Sequence, residues 1–391
     1  MPDGTGDHTS AGLRDRVAEV LESAWVAAGY TAPNTSVYPW LWLWDSCFHA
    51  LIWAELDRPD RALTEIESVL SLQGPTGFVP HMGYQLDVSK AIEVWGRSGS
   101  SSITQPPMYG HALAELARRG FDVPPGLVVR ATAGLRFLLE RRERTVDGLI
   151  TVVHPWETGC DDSPRWDDLC PGDGFDTNRW QAHKMALLDT IKWGSSGEPL
   201  ANPEFMVAPI GFNALVAWNA MELADVGATD LFEPATELAA LIDIRWDDDR
   251  RTWIDSGANE TGSGRVRTVD SLLPLLVDVD RSHRMAAAAS LVDPAAHGSS
   301  HGPLGVHRGE ASFDADTYWR GPVWPQLTYL LWTAVAGSGT PSESGIAAEL
   351  IRSMMRGVTS SSLAEYWDGD TGRGLGAVPQ SWSGLVLLMA P

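Results

Sequence analysis

Residues 38–53 read Y-P-W-L-W-L-W-D-S-C-F-H-A-L-I-W, and the pattern changes period in the middle. Trp40, Trp42 and Trp44 alternate as in a strand; after Asp45 the spacing of Phe48, Leu51 and Ile52 is helical. Asp45 at that junction suits a helix N-cap, where its carboxylate accepts from unpaired N–H groups of the first turn. A capping carboxylate can also turn one oxygen to a ligand. The unit is therefore an aromatic loop feeding a helix.

The same unit recurs along the chain. Helical periodicity runs from Leu13 to Trp25, over 59–72 with Pro59 at its start, and over roughly 108–119, 127–143, 179–192, 208–225, 229–244, 267–276 and 280–292. It returns through Leu327, Leu330, Leu331 and Ala334, and then over about 342–357 and 380–389. Loops rich in aromatic, acidic, Gly or Pro residues stand between, at 77–81, 99–107, 154–168, 312–325 and 363–376. Some twelve helices with no strand–helix alternation argue against a parallel sheet. An all-α fold is expected, a toroid of helical hairpins or (α/α)6 barrel, with the loops of one end meeting at a central pocket. One domain spans 13–391, after a disordered tail over 1–12.

Composition narrows the function. The 391 residues are 44% hydrophobic, enough for a large core, and the formal net charge of −22 repels phosphate backbones and anionic lipid. Nucleic acid and membrane surfaces are therefore excluded as partners. No apolar run is long enough for a membrane span or a leader, and three cysteines do not form a disulfide framework, so a cytoplasmic location is expected. The eighteen Trp gather near the loops at 40–44, 156–180 and 319–324, in larger number than packing alone demands.

The loop His154 to Asp168 reads H-P-W-E-T-G-C-D-D-S-P-R-W-D-D. Carboxylates so crowded repel one another and resist burial, a cost tolerated where charge is used. Trp beside carboxylates suits sugar, whose C–H faces stack on rings while its hydroxyls bond acids. Glycoside hydrolysis requires two carboxyl groups, one to protonate the leaving oxygen and one to activate water or attack. Glu157, Asp161 and Asp162 are all available for one role and Glu365, in A-E-Y-W-D-G-D-T-G, for the other; spacing does not choose among the first three. Adjacent acids make it easy to keep one protonated. A calcium loop is the competing use of these acids, but the D-x-[DN]-x-[DN]-G spacing is missing. There is no H-E-x-x-H set and no phosphate loop, so neither metal nor cofactor is expected.

Taken together, Y-P-W-L-W-L-W-D-S-C-F-H-A, S-S-I-T-Q-P-P, W-E-T-G-C-D-D-S-P-R-W-D, Y-W-R-G-P-V-W-P, A-E-Y-W-D-G-D-T-G-R-G-L-G and Q-S-W resemble glycoside hydrolase family 63, and within it the bacterial glucosylglycerate and mannosylglycerate hydrolases. The resemblance extends from about residue 13 to 389, in one order. It implies an (α/α)6 barrel and an inverting α-glycosidase for a small soluble sugar. The family's acid, the first carboxylate after E-S-G-M, falls on Asp161, and its base on Glu365. Its sugar-binding positions fall on Tyr38, Trp42, Asp45, Gln105, Trp319, Trp324 and Gln380. Trp44, Trp156 and Gly321, inside the quoted motifs, complete the candidate set. Arg179 aligns with the arginine that meets the substrate carboxylate in glycerate-specific members.

This chain departs from the pattern in three places. Asp161-Asp162 stands where the family has D-N. The segment between Trp166 and Arg179 is shorter than in glycerate-specific relatives, which implies a more open aglycone site. The chain is too short for the β-sandwich domain of the larger members. Two other functions remain on the sequence alone: a sugar isomerase or epimerase on the same toroid, using His49 or His154 as acid and base, and a carbohydrate-binding homologue that has lost hydrolysis.

Overall fold

A computed structural model describes residues 10–170 and 172–389. Most of the N-terminal tail expected over 1–12 lies outside the described residues, and helix α1 (Ser10–Ala24) begins ahead of the expected boundary. There follow α2 (Leu43–Glu55), α3 (Pro59–Ser71), α4 (Val88–Trp95), α5 (Tyr109–Arg118) and α6 (Pro125–Arg136), the last running on as a wider turn over Phe137–Arg141. Then come α7 (Thr177–Leu188), α8 (Ile210–Asp225), α9 (Phe232–Asp243), α10 (Arg281–Ser290), α11 (Pro325–Ala336) and α12 (Pro341–Ser361). The strands are two or three residues long and form antiparallel pairs among the described residues.

The helices sort by composition. From Leu43 to Ala54 every residue of α2 is buried, and α8 is buried from Ile210 to Ala220; a helix apolar on all sides has to lie inside. By contrast α3 buries Ala62, Glu65, Ile66, Val69 and Leu70, the single stripe of an outer helix. The inner elements touch in sequence: α2 packs on α5, α5 on α8, α8 on the 3-10 helix Val269–Leu276, that helix on α11, and α11 on the 3-10 helix Ser381–Leu388, which returns to α2. Outside them, α3 covers α2, α6 covers α5 and α8, α9 covers α8, α10 covers Val269–Leu276, and α12 covers α11. Helix α1 lies on Ser381–Leu388. Among the described residues no helix is long and apolar enough to cross a membrane.

Three local expectations need correction. The alternating Trp run contributes only Leu41–Trp42 to a strand, paired with Met82–Gly83. Helix α2 begins at Leu43, so Asp45 sits within its first turn, while Trp42 holds the cap position and no side chain caps it. The segments 269–276 and 381–388 wind as tight 3-10 helices rather than α-helices; Pro274, inside the first, has no N–H to give to a carbonyl one turn back. Helix α4 is an element the sequence reading lacks, although Val88, Ala91, Ile92 and Trp95 follow a helical spacing. Its ends carry signals too: Asp87 accepts from Ser89 N, and Gly96 closes it at φ 65°.

Candidate active site

The N-terminal ends of the inner elements carry the sequence motifs. Trp42 precedes α2, Trp324 precedes α11, and Gln380 precedes Ser381–Leu388. The three lie close to one cavity, of about 70 Å3. Tyr38, Trp42, Trp44 and Asp45 line it from one side, and Gln105, Trp319 and Gln380 from others. Asp161 and Glu365 both face into it. A larger groove of about 940 Å3 opens at the C-terminal ends of α5, α8 and α11, among His111, Arg118, Glu222 and Arg284, but it holds none of the motifs.

Packing resolves the crowd of acids in the 154–168 loop. Glu157 is fully buried and saturated: Arg142 bonds both its oxygens at 2.6 Å, and the backbone N–H groups of Thr104 and Val153 add bonds at 3.0 and 2.8 Å. It clamps the 99–107 loop to the acidic loop. Asp162 takes Lys184 Nζ at 2.5 Å. Asp167 takes both guanidinium nitrogens of Arg320, at 2.8 and 2.6 Å. Asp161 is in no ion pair among the described residues, and it alone of these faces the cavity. Gly159, at φ 73°, makes this aim possible: a Cβ there would lie 2.5 Å from the Trp44 ring.

Burial raises the Asp161 carboxyl to about 7; Lys184 opposes the rise, and Asp162 and Glu365 add to it. Such a group is still protonated near neutral pH, as a general acid must be. Glu365 stands just before the hairpin Tyr366–Trp367 and Gly374–Leu375, whose turn is held by Asp368 accepting from Thr371 N at 2.6 Å. Burial raises its carboxyl too, and two donors pull it back: Ala377 N at 2.8 Å on Oε2, then the Tyr38 hydroxyl at 3.0 Å on Oε1. These donors favour the ionised form that a general base requires. Asp45 is driven well above its ordinary range by burial.

Four candidates are placed differently from the rest. Trp324 does not line the cavity; it stacks behind Trp319, with ring centroids 3.5 Å apart and planes 4° from parallel, and Tyr366 closes its other face at 4.5 Å. Gly321 is a close-approach position, since a Cβ there would lie 2.1 Å from the Asp314 carbonyl oxygen. Trp156 lines a second, adjoining cavity of about 220 Å3. Arg179 lines neither cavity, and its guanidinium is bound by the carbonyls of Asp173 and Gly174 in its own short loop. Tyr318, Trp382 and Pro33 line the first cavity without having been singled out; Tyr318 lay within a quoted motif, Trp382 within Q-S-W.

The histidines suggested for isomerase chemistry are committed elsewhere. His154 accepts from Trp156 N at 3.1 Å on Nδ1, which leaves Nε2–H to donate to the Lys184 carbonyl at 2.8 Å. His49 Nε2 is 2.6 Å from the Ser381 hydroxyl. Burial pushes both down to about 3. No group of three or more His, Cys, Asp or Glu among the described residues is placed to hold a metal ion.

Along most of its length the chain is similar to known proteins. The family model of the mannosylglycerate hydrolase MGH1-like glycoside hydrolase domain matches residues 38–383. The mannosylglycerate hydrolase of Thermus thermophilus is 26% identical over 92% of this chain and 96% of its own. The glucosylglycerate hydrolase of Mycolicibacterium hassiacum is 26% identical over 90% of this chain and 92% of its own. The crystal structure of the family 63 mannosylglycerate hydrolase from Thermus thermophilus, in complex with Tris and D-glycerate, superposes with a TM-score of 0.83 at 24% identity, over 96% of this chain and 99% of that one.

Proposed function

The chain belongs to the mannosylglycerate hydrolase MGH1-like glycoside hydrolases, of glycoside hydrolase family 63, and from that membership we propose that it is an inverting α-glycosidase of small soluble glycosides built on an (α/α)6 barrel. Asp161 is the general acid that protonates the glycosidic oxygen. Glu365 is the general base that takes a proton from the attacking water. One observation carries the assignment: Asp161 and Glu365 face a single aromatic-walled cavity, where burial raises the Asp161 carboxyl to about 7 and where Ala377 N and the Tyr38 hydroxyl offset part of the rise that burial imposes on Glu365. The closed order of inner contacts, with an outer helix over each, supports the barrel.

The reaction follows from these groups. A pyranose in the cavity has its anomeric carbon between the two carboxyls, with its ring against Trp42, Trp44 and Trp319 and its hydroxyls toward Asp45, Gln105 and Gln380. Water activated by Glu365 adds on the face opposite the leaving oxygen, which Asp161 protonates, so an α-linkage yields a β-sugar. Inversion requires the two carboxyls to be roughly 6.5–9.5 Å apart, enough for a water between them. Family membership favours substrates of the size of glucosylglycerate or a related disaccharide.

The test is hydrolysis of glucosylglycerate, mannosylglycerate, glucosylglycerol, trehalose, kojibiose, nigerose and maltose, with the released anomer followed by NMR. Release of the β-anomer by the wild type, and its loss in Asp161→Asn and Glu365→Gln, is the expected result. Release of the sugar as its α-anomer from glucosylglycerate, mannosylglycerate or glucosylglycerol, whose aglycones are not sugars, or full activity in Glu365→Gln, sinks the proposal.

A further inference from the structure

The order of inner elements closes where α2, its first member, meets the 3-10 helix Ser381–Leu388, its last. Among the described residues one side-chain hydrogen bond crosses that seam: His49 Nε2 lies 2.6 Å from the Ser381 hydroxyl oxygen. Both residues are buried, His49 completely. Neither lines the cavity of Asp161 and Glu365, and the proposed reaction uses neither. A polar pair at such a place carries a desolvation cost that two apolar side chains would not.

The hydrogens of the pair follow from their neighbours. The Ser381 hydroxyl also lies 3.1 Å from the Pro33 carbonyl oxygen, which only accepts. If the hydroxyl donates to Pro33, His49 Nε2–H donates to the hydroxyl and both bonds form. If it donates to His49 instead, the bond to Pro33 is lost and a buried Nδ1–H is orphaned, since Nδ1 has no hydrogen-bond partner and Glu65 Oε1 is 3.9 Å away. The first arrangement makes one more bond and leaves only an acceptor unmet, so His49 is the neutral Nε2–H tautomer. Burial keeps the group uncharged: it pushes His49 down to about 3 and raises Glu65 to about 8.

The residues tied together here reach the cavity on three sides. Gln380, immediately before Ser381, lines it, and so does Pro33, at the head of the loop that carries Tyr38. Ser381 N donates to the Pro33 carbonyl as well, at 3.0 Å, and Asn34 Nδ2 to the Pro379 carbonyl at 2.8 Å. The loop whose Tyr38 holds the Glu365 carboxylate is thus moored to the segment that carries Gln380. Gln380 Oε1 is buried without a partner, ready to accept from a sugar hydroxyl. Asp45, one turn before His49 on α2, lines the cavity from the other side of the seam. Without the His49 N–H the Ser381 hydroxyl is free to turn from Pro33, and these wall positions are no longer set against one another. A misplacement of about 1 Å can cost about 10²-fold in rate.

We propose that His49 is a positioning residue of the sugar cavity: its Nε2–H fixes the Ser381 hydroxyl on the Pro33 carbonyl, and so sets Gln380 and the Tyr38 loop against Asp45. The proposal rests on the reading of that cavity as the sugar site with Glu365 as base.

The experiment measures kcat/KM on α-glucosyl and α-mannosyl fluoride, which need the cavity and the base but no proton from the acid. It compares the wild type, His49→Leu, His49→Gln, Ser381→Ala and the double variant His49→Leu/Ser381→Ala, each at a temperature where circular dichroism shows it folded. His49→Leu and Ser381→Ala are each expected to lose roughly tenfold. The double variant is expected to lose no more than either single one, because both remove the same bond. His49→Gln, whose amide N–H stands in for Nε2–H, is expected to recover most of the loss. A role in stability alone lowers the unfolding temperature and leaves kcat/KM of the folded variants unchanged. Wild-type kcat/KM in folded His49→Leu, additive losses in the double variant, or no recovery in His49→Gln overturns the assignment. If His49→Leu does not fold, Ser381→Ala, which removes only the hydroxyl, decides: a tenfold loss supports the assignment and an unchanged kcat/KM overturns it. Failure of the wild type to cleave either fluoride overturns the glycosidase reading, and the role of His49 with it.

Discussion

Tyr38 and Glu365 are 327 positions apart in the chain, and the Tyr38 hydroxyl donates to Oε1 of Glu365 across 3.0 Å. The bond joins the loop before α2 to the hairpin after α12, so the Glu365 carboxylate, the proposed base, is oriented only when the ring of inner elements has closed. It also opposes burial, which raises the Glu365 carboxyl. In Tyr38→Phe that carboxyl is expected to rise further. A base has to be ionised, so the acidic limb of the kcat/KM–pH profile moves to higher pH, by about one unit for a lost charge-assisted bond of ~1.4 kcal/mol. A profile that keeps its acidic limb removes Glu365 from the role of base.

Asp161→Asn and Glu365→Gln are expected to differ on activated substrates. On O-glycosides each loses roughly 10²–10⁴ in kcat. Fluoride departs without a proton, so glycosyl fluoride hydrolysis is largely spared in Asp161→Asn and lost in Glu365→Gln. Equal loss on fluorides would reject Asp161 as the acid.

Asp162 tunes its neighbour. Burial is the main cause that brings the Asp161 carboxyl to about 7; the negative charge of Asp162 adds to the rise, and Asp162 also holds Lys184, which opposes it. Above that value the acid loses its proton, so activity falls as pH rises through about 7. Asp162→Asn removes a like charge and releases Lys184 toward Asp161; both changes lower the Asp161 carboxyl. The basic limb of the pH profile is expected to move to lower pH, and a shift in the other direction would contradict this electrostatic account.

Arg142 and Glu157 are structural. Both side chains are 0% exposed and share two bonds at 2.6 Å. Arg142→Met leaves the Glu157 carboxylate buried without its cation, at a cost of about 3–5 kcal/mol. A lowered calorimetric unfolding temperature is the readout, and an unchanged one would mean that the pair is dispensable.

The aromatic loops and most of the helices were legible in the sequence, because periodicity and composition report local burial directly. Glu365 was legible as a carboxylate in a distant motif, and Asp161 as one of three acids in a loop. The resemblance to the family motif pointed to Asp161, but the physical ground for preferring it is tertiary: its neighbours are held by Arg142, Lys184 and Arg320, and Arg320 is 153 positions away from the Asp167 it holds. The placement of Trp324 behind Trp319, of Arg179 on its own loop, and of His49 against Ser381 was equally hidden. A one-dimensional pattern records which residues are apolar or charged, and hence which helices go inside. Which charge keeps no partner, and which ring faces a cavity, depends on side chains brought together by closure of the fold; that was decided by the tertiary structure.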